Sequence, residues 1–230
     1  MSLWNRKRVE RYINLYGDPR AKIGTQSQLC KDVSEFAFSL PQPVQSESIL
    51  DVGCGLGNLI PFLPSYLDYL GLDLSKDMLH QAQDFFPEKT FSHKDATNFL
   101  ISNRFFNYVI SISMFIHLTE KQARDALRCM WDHLDIGGTL VFGMETNGDS
   151  VTKRESGLII RNQSVENVLA MLNDVIPVKY RVHYQYQRIV YQTISDFTYS
   201  KSLAPSTLIS HQPIARTTLF KVQERKEAAL

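Results

Sequence analysis

Apolar positions along the chain change period several times, and each change marks a predicted element. Val9, Tyr12, Ile13 and Tyr16 recur at helical spacing while Arg6, Lys7 and Arg11 take the other faces, so an amphipathic helix is expected, ended by Gly17 and Pro19. A second stripe runs through Leu29, Val33, Phe36, Ala37 and Leu40 and stops at Pro41 to Pro43. From Ser48 the rhythm shortens. SILDV is an unbroken apolar run before a glycine cluster, as a strand buried on both faces requires. YLGLD (Tyr69 to Asp73) repeats that pattern, and Ser75 is placed to cap a helix carrying Met78, Leu79, Ala82 and Phe85. TFSHKD is a weaker strand and YVISIS (Tyr108 to Ser113) a strong one. Thr119 and Gln122 form a capping box for a helix that Gly137-Gly138 is expected to stop, and TLVFGM (Thr139 to Met144) is the next buried strand.

Strand and helix thus alternate at short intervals, which argues for an α/β fold with a mostly parallel sheet and helices on both faces. Beyond Glu145 the pattern loosens. Ser164 is read as the cap of a helix through Val168, Met171 and Leu172; VKYRVHYQYQRIVYQ and TTLFKVQ are read as strands. The segment between them, Thr198 to Ala215, is read as a loop that could lie over a site. The chain is taken as one domain: residues 1–43 a helical lid, 48–144 the core, and 145–230 the rest of the sheet with a substrate-side segment.

Composition narrows the class. The 230 residues are 43% hydrophobic and 11% aromatic, enough for a substantial core. Cys30, Cys54 and Cys129 are too scattered for a disulfide framework, and no tight His/Cys cluster suggests a metal site. No apolar run approaches the ~20 residues that span a bilayer, and the basic start lacks the apolar core of a signal peptide, so a cytoplasmic location without membrane partners is expected. The net charge of +1 conceals a division. Residues 1–31 and 150–230 each carry +5, whereas 32–149 carry −9. Different parts of the chain are therefore expected to meet different partners.

The chemistry is concentrated in DVGCGLGN, Asp51 to Asn58, after a predicted strand and before a predicted helix. Gly53, Gly55 and Gly57 let the backbone turn sharply and approach a ligand closely. Asn58 stands where a dinucleotide fingerprint needs its third glycine, and no phosphate-loop GK[ST] follows. Asp73 and Asp95 end the next two predicted strands, where carboxylates can accept hydrogen bonds from ribose hydroxyls and an exocyclic amine. Pro61 and Pro64 should shorten or bend the helix behind the loop.

Taken together, SILDVGCGLGN, YLGLDLSKDML, HKDAT, FFNYVISISMFIHL and LDIGGTLVFG resemble, in order and spacing, the class I S-adenosylmethionine-dependent methyltransferases. The resemblance implies a Rossmann-like seven-stranded sheet of order 3-2-1-4-5-7-6, with the seventh strand antiparallel. It implies S-adenosyl-L-methionine as cofactor and S-adenosyl-L-homocysteine as product. Asp51, Gly53, Cys54, Gly55 and Gly57 would surround the methionine portion, and Asp73 would hold the ribose. Leu74 and Met78 would line the adenine, Asp95 beside Ala96 would read its amine, and Ile112 would contribute backbone.

The implied reaction is in-line attack on the sulfonium methyl. His117, just past the fourth predicted strand, is the candidate general base, with helix packing as the competing role. Tyr12 and Tyr16 are candidates to close over the site. SISMF occupies the place of the [DNS]PP[YFW] motif of amino-methylating nucleic-acid enzymes, which favours a small-molecule acceptor over nucleic acid. The basic ends suggest an anionic one, met by a residue such as Arg6, Arg11, Arg20, Lys22, Arg181 or Arg188. An RNA- or protein-directed methyltransferase and a non-catalytic cofactor-binding scaffold stay open as alternatives.

Overall fold

The computed structural model describes residues 4–22, 24–38, 47–145, 150–153, 159–176, 180–192, 196–201 and 215–224. Its elements are α1 (Arg6–Tyr16), α2 (Gly24–Ala37), β1 (Ser48–Val52), β2 (Asp68–Asp73), α3 (Lys76–Phe85), β3 (Thr90–His93), β4 (Phe106–Ser111), α4 (Glu120–Asp132), β5 (Leu134–Glu145), β6 (Ser150–Lys153), β7 (Ile159–Asn162), α5 (Val165–Val175), β8 (Tyr180–Gln192), β9 (Asp196–Lys201) and β10 (Ala215–Glu224). The main sheet has the order β3-β2-β1-β4-β5-β10-β8-β9. β1 to β5 pair in parallel, while β10 runs antiparallel to both β5 and β8. With β8 as sixth and β10 as seventh strand, this is the expected Rossmann-like order.

Both sheet faces are covered, which explains why the strands read as unbroken apolar runs. Alternate residues point to opposite faces. Leu50, Val109, Leu140 and Phe220 meet Leu127 and Met130 of α4 and Met171 and Leu172 of α5. Their neighbours Ile49, Ile110, Val141 and Leu219 meet Leu29, Cys30 and Val33 of α2. α2 is also tied down by a buried cation: Lys221 Nζ on β10 donates to the carbonyls of Phe36 and Ala37, each at 3.1 Å. These are the last carbonyls of α2, where a positive charge is favourable.

Three expectations change in detail. The two prolines leave no α-helix after the glycine loop, only a 3-10 turn over Ile60–Phe62. Gly137 and Gly138 do not stop α4, which ends at Asp132, and lie inside β5. They serve a bulge there: the β4–β5 register jumps from Phe106↔Leu134 to Tyr108↔Thr139, and Gly137 takes φ +77°. A Cβ on Gly138 would lie 2.9 Å from the Asn107 carbonyl oxygen. Finally, Thr198 to Lys201 belong to β9, an additional edge strand, rather than to a loop. The remainder of that expected loop, up to residue 214, lies outside the described residues, as does Leu40. Among the described residues no helix is long and apolar enough to cross a membrane.

Candidate active site

The strand order reverses between β1 and β4, so the chain leaves their carboxyl ends in opposite directions and opens a crevice there. The glycine loop fills its floor. Gly53 and Cys54 donate their N–H groups to the Leu72 carbonyl at 2.7 and 2.9 Å, pinning the loop to the end of β2. Gly53, Gly55 and Gly57 take φ of +76°, +54° and +78°, the left-handed region that side chains disfavour. At Gly53 a Cβ would also come within 2.9 Å of Met114, whereas the corresponding position at Gly55 faces open space.

Asp73 joins the loop to the next helix. Its Oδ2 accepts from Gly55 N at 3.0 Å and its Oδ1 from Ser75 N at 2.8 Å. Burial pushes this carboxyl above its ordinary pKa, and the N–H groups of Ser75 and Gly55 pull it back. Leu74 beside it is 46% exposed, an apolar side chain left at the mouth of the crevice. Asp95 caps its own turn through Oδ1, which accepts from Thr97 N at 2.9 Å and Thr97 Oγ1 at 2.7 Å. Ala96 packs on the core and Ile112 is buried, followed by Ser113 at φ +59°.

Asp51 is only 3% exposed, and its Oδ2 accepts the Tyr69 hydroxyl at 2.9 Å. Burial raises its pKa to about 7; the Tyr69 bond opposes that rise and the nearby Asp73 adds to it. Cys54 lies in hydrogen-bonding contact with the same phenol. Burial and then the charges of Asp51 and Asp73 hold its thiol well above the usual range, which removes it as a thiolate nucleophile. Gly71 makes the cluster possible. A Cβ there would lie 2.8 Å from Cys54 Sγ and 2.9 Å from the Tyr69 hydroxyl. Gly71→Ala is therefore expected to destabilise the fold by about 1–3 kcal/mol, read as a lower urea midpoint with unchanged slope.

α1 crosses this edge of the sheet. Val9 packs on Leu56 of the loop and on Met78, with Trp4, Tyr12, Ile13 and Phe85 around them. Met78 is thus buried beneath α1. Tyr12 accepts at its hydroxyl from Asn58 Nδ2 at 3.3 Å. The Tyr16 side chain lies outside the described residues. Trp4, which no sequence pattern singles out, spans the crevice: its carbonyl accepts from Ser75 Oγ at 2.6 Å, and its ring stands 5.4 Å from Tyr12 and 6.4 Å from His117.

His117 ends a 3-10 turn, Phe115–His117, after β4. Its Nδ1 lies 3.2 Å from the Ile159 carbonyl oxygen on β7. A carbonyl can only accept, so this contact assigns the proton to Nδ1 and the lone pair of the neutral ring to Nε2. Of the proposed cationic residues, Arg6, Arg20 and Lys22 engage other partners. Arg6 pairs with Glu10 on the surface, Arg20 with Asp18, and Arg11 is exposed. Lys22 stands over the Phe62 ring in a separate groove shared with Gln28, Lys31 and Glu35. The side chains of Arg181 and Arg188 lie outside the described residues.

Comparison with known proteins agrees with this geometry. Residues 49–138 match the methyltransferase domain family. Over 99 residues the chain is 33% identical to a Streptomyces venezuelae dTDP-3-amino-3,4,6-trideoxy-alpha-D-glucopyranose N,N-dimethyltransferase, covering 42% of each chain. Among solved structures, an S-adenosylmethionine-dependent methyltransferase from Clostridium acetobutylicum superposes with a TM-score of 0.63 at 15% identity, over 94% of this chain and 98% of that one. A TehB-like S-adenosylmethionine-dependent methyltransferase from Corynebacterium glutamicum gives 0.64 at 20% identity, over 96% and 100%. The glycine loop, the acid ending β2 and the sheet order thus accompany a match of residues 49–138 to the methyltransferase domain family, and the overall fold is the one these solved methyltransferases share.

Proposed function

We propose that this protein transfers a methyl group from S-adenosylmethionine to a nucleophilic atom of a small molecule that carries an anionic group. The observation that carries the cofactor part of the reading is Asp73, a carboxylate ending β2 that holds Gly55 and Ser75 while Gly55 faces open space. The residues fit the cofactor: a loop of left-handed glycines for its amino-acid end, Asp73 for the ribose, and the exposed Leu74 with Asp95 for the adenine. Bound S-adenosylmethionine supplies a methyl group on a positively charged sulfur, already activated for displacement.

The chain's task is then to orient, desolvate and deprotonate. Trp4 and Tyr12 close the crevice from above and exclude water. His117, with its proton on Nδ1, presents Nε2 as the base for an acceptor that reaches the site protonated. The Streptomyces relative is named for methylation of an amino sugar, which favours an amine nitrogen as the acceptor atom here.

Two measurements test the reading. Calorimetry should give saturable one-site binding of S-adenosylhomocysteine and none of NAD; the reverse, or binding of neither, would overturn it. With a turning-over amine, His117→Ala should lower kcat by about 10²–10⁴ while S-adenosylhomocysteine affinity stays unchanged. An unchanged kcat would remove His117 as the base.

A further inference from the structure

The geometry points to Arg161 as the residue that receives the oxyanion of the methyl acceptor, in a corner built by the β6–β7 hairpin; this rests on the small-molecule methyltransferase reading above. β7 lies against the 3-10 turn that ends in His117. Successive strand residues face opposite ways. Ile160 is accordingly buried, while the Arg161 side chain on the other face meets the turn: its Nη1 donates to the His117 carbonyl at 3.1 Å, and the backbone carbonyl of Ile159 faces His117 Nδ1. One guanidinium bond thus fixes the side chain beside the candidate base.

Among the described residues nothing else pairs with the rest of the guanidinium. Arg161 is partly buried, and no carboxylate among the described residues pairs with it, in contrast to Arg6, Arg20, Arg104 and Arg124. A guanidinium offers five donors in a planar fork that matches a carboxylate or phosphate. Beside it lies an exposed aliphatic side chain. Val151 stands directly opposite in the β6–β7 register and is 69% exposed, although it is aliphatic. Trp4 borders the His117 side of the corner. An acceptor with an apolar body and an oxyanion would lay the body on Val151 and the charge on Arg161, bringing its nucleophile towards His117.

The test uses the full chain, with and without saturating S-adenosylhomocysteine, and inorganic phosphate and acetate as probes. The thermal midpoint is followed against probe concentration at constant ionic strength, since a ligand of the folded state raises it saturably. Phosphate is expected to raise the midpoint of the wild type and of Arg161→Lys. In Arg161→Gln the half-saturating concentration should rise by about tenfold or more. A matching response to acetate identifies a general oxyanion corner, and a response to phosphate alone a phosphate corner. No saturable response in the wild type, or an unaltered one in Arg161→Gln, overturns the assignment. Unchanged S-adenosylhomocysteine affinity in Arg161→Gln certifies its fold. Should S-adenosylhomocysteine fail to bind even the wild type, the methyltransferase reading falls, while the probe titrations of the unliganded chain still decide Arg161.

Discussion

Asp73→Ala is expected to weaken S-adenosylhomocysteine binding by about 10²–10⁴-fold, the largest effect of any single side chain on cofactor affinity. A hydrogen bond to a charged group contributes about 1.5–3 kcal/mol, and a carboxylate at this position can accept from both ribose hydroxyls. The same carboxylate already orders two backbone groups, Gly55 N and Ser75 N, that belong to the loop and to the start of α3. Its removal leaves both amides without their acceptor and frees the loop to relax, so the loss combines direct contact with lost preorganisation. Asp73→Asn separates these contributions. It keeps one acceptor oxygen and should fall between the wild type and alanine. Calorimetric affinities within threefold of wild type for Asp73→Ala would refute the assigned role.

Asp51→Asn is expected to stabilise the unliganded protein at pH 8 and to weaken cofactor binding. The folded-state pKa of Asp51 is about 7, raised chiefly by burial. An unfolded chain releases this proton near pH 3.9. Between those values the folded chain holds a proton that the unfolded chain has lost, so stability falls as pH rises through the window and levels off above it. The cost at pH 8 reaches about 4 kcal/mol, whereas below pH 4 Asp51 contributes none. Asparagine is neutral throughout, and its oxygen can still accept the Tyr69 hydroxyl. Urea unfolding should therefore show a higher midpoint for Asp51→Asn at pH 8, with the two proteins converging towards pH 4. A lower midpoint at pH 8 would sink the argument. The charge that is unfavourable in the empty crevice is the one expected to face the cofactor's ammonium, so S-adenosylhomocysteine should bind the variant more weakly.

Much of the site was legible because its requirements are local. A tight strand-to-helix turn needs positive φ, and Gly53, Gly55 and Gly57 answer that need within five residues. Ser75, Thr119 and Ser164 cap the helices expected of them, each accepting an N–H three residues on. Other features were hidden. Tyr69 reads as one more strand aromatic; its bond to Asp51 depends on β1 and β2 pairing in parallel and on the missing Cβ of Gly71. Gly137-Gly138 was misread because two glycines after a helix look alike whether they end it or accommodate a bulge.

By itself the sequence determined most elements between Ser48 and Met144, the parallel core and the acids ending its first strands, because periodicity, caps and glycine conformations act over a few residues. Tertiary structure alone decided which side chains gather around Ser75 and His117. Trp4 reaches Ser75 across 71 positions and Arg161 reaches His117 across 44. No local pattern distinguishes Arg161 from the other ten cations of residues 150–230. Its place is set by β7 burying Ile160, which turns the Arg161 side chain onto the turn that carries His117.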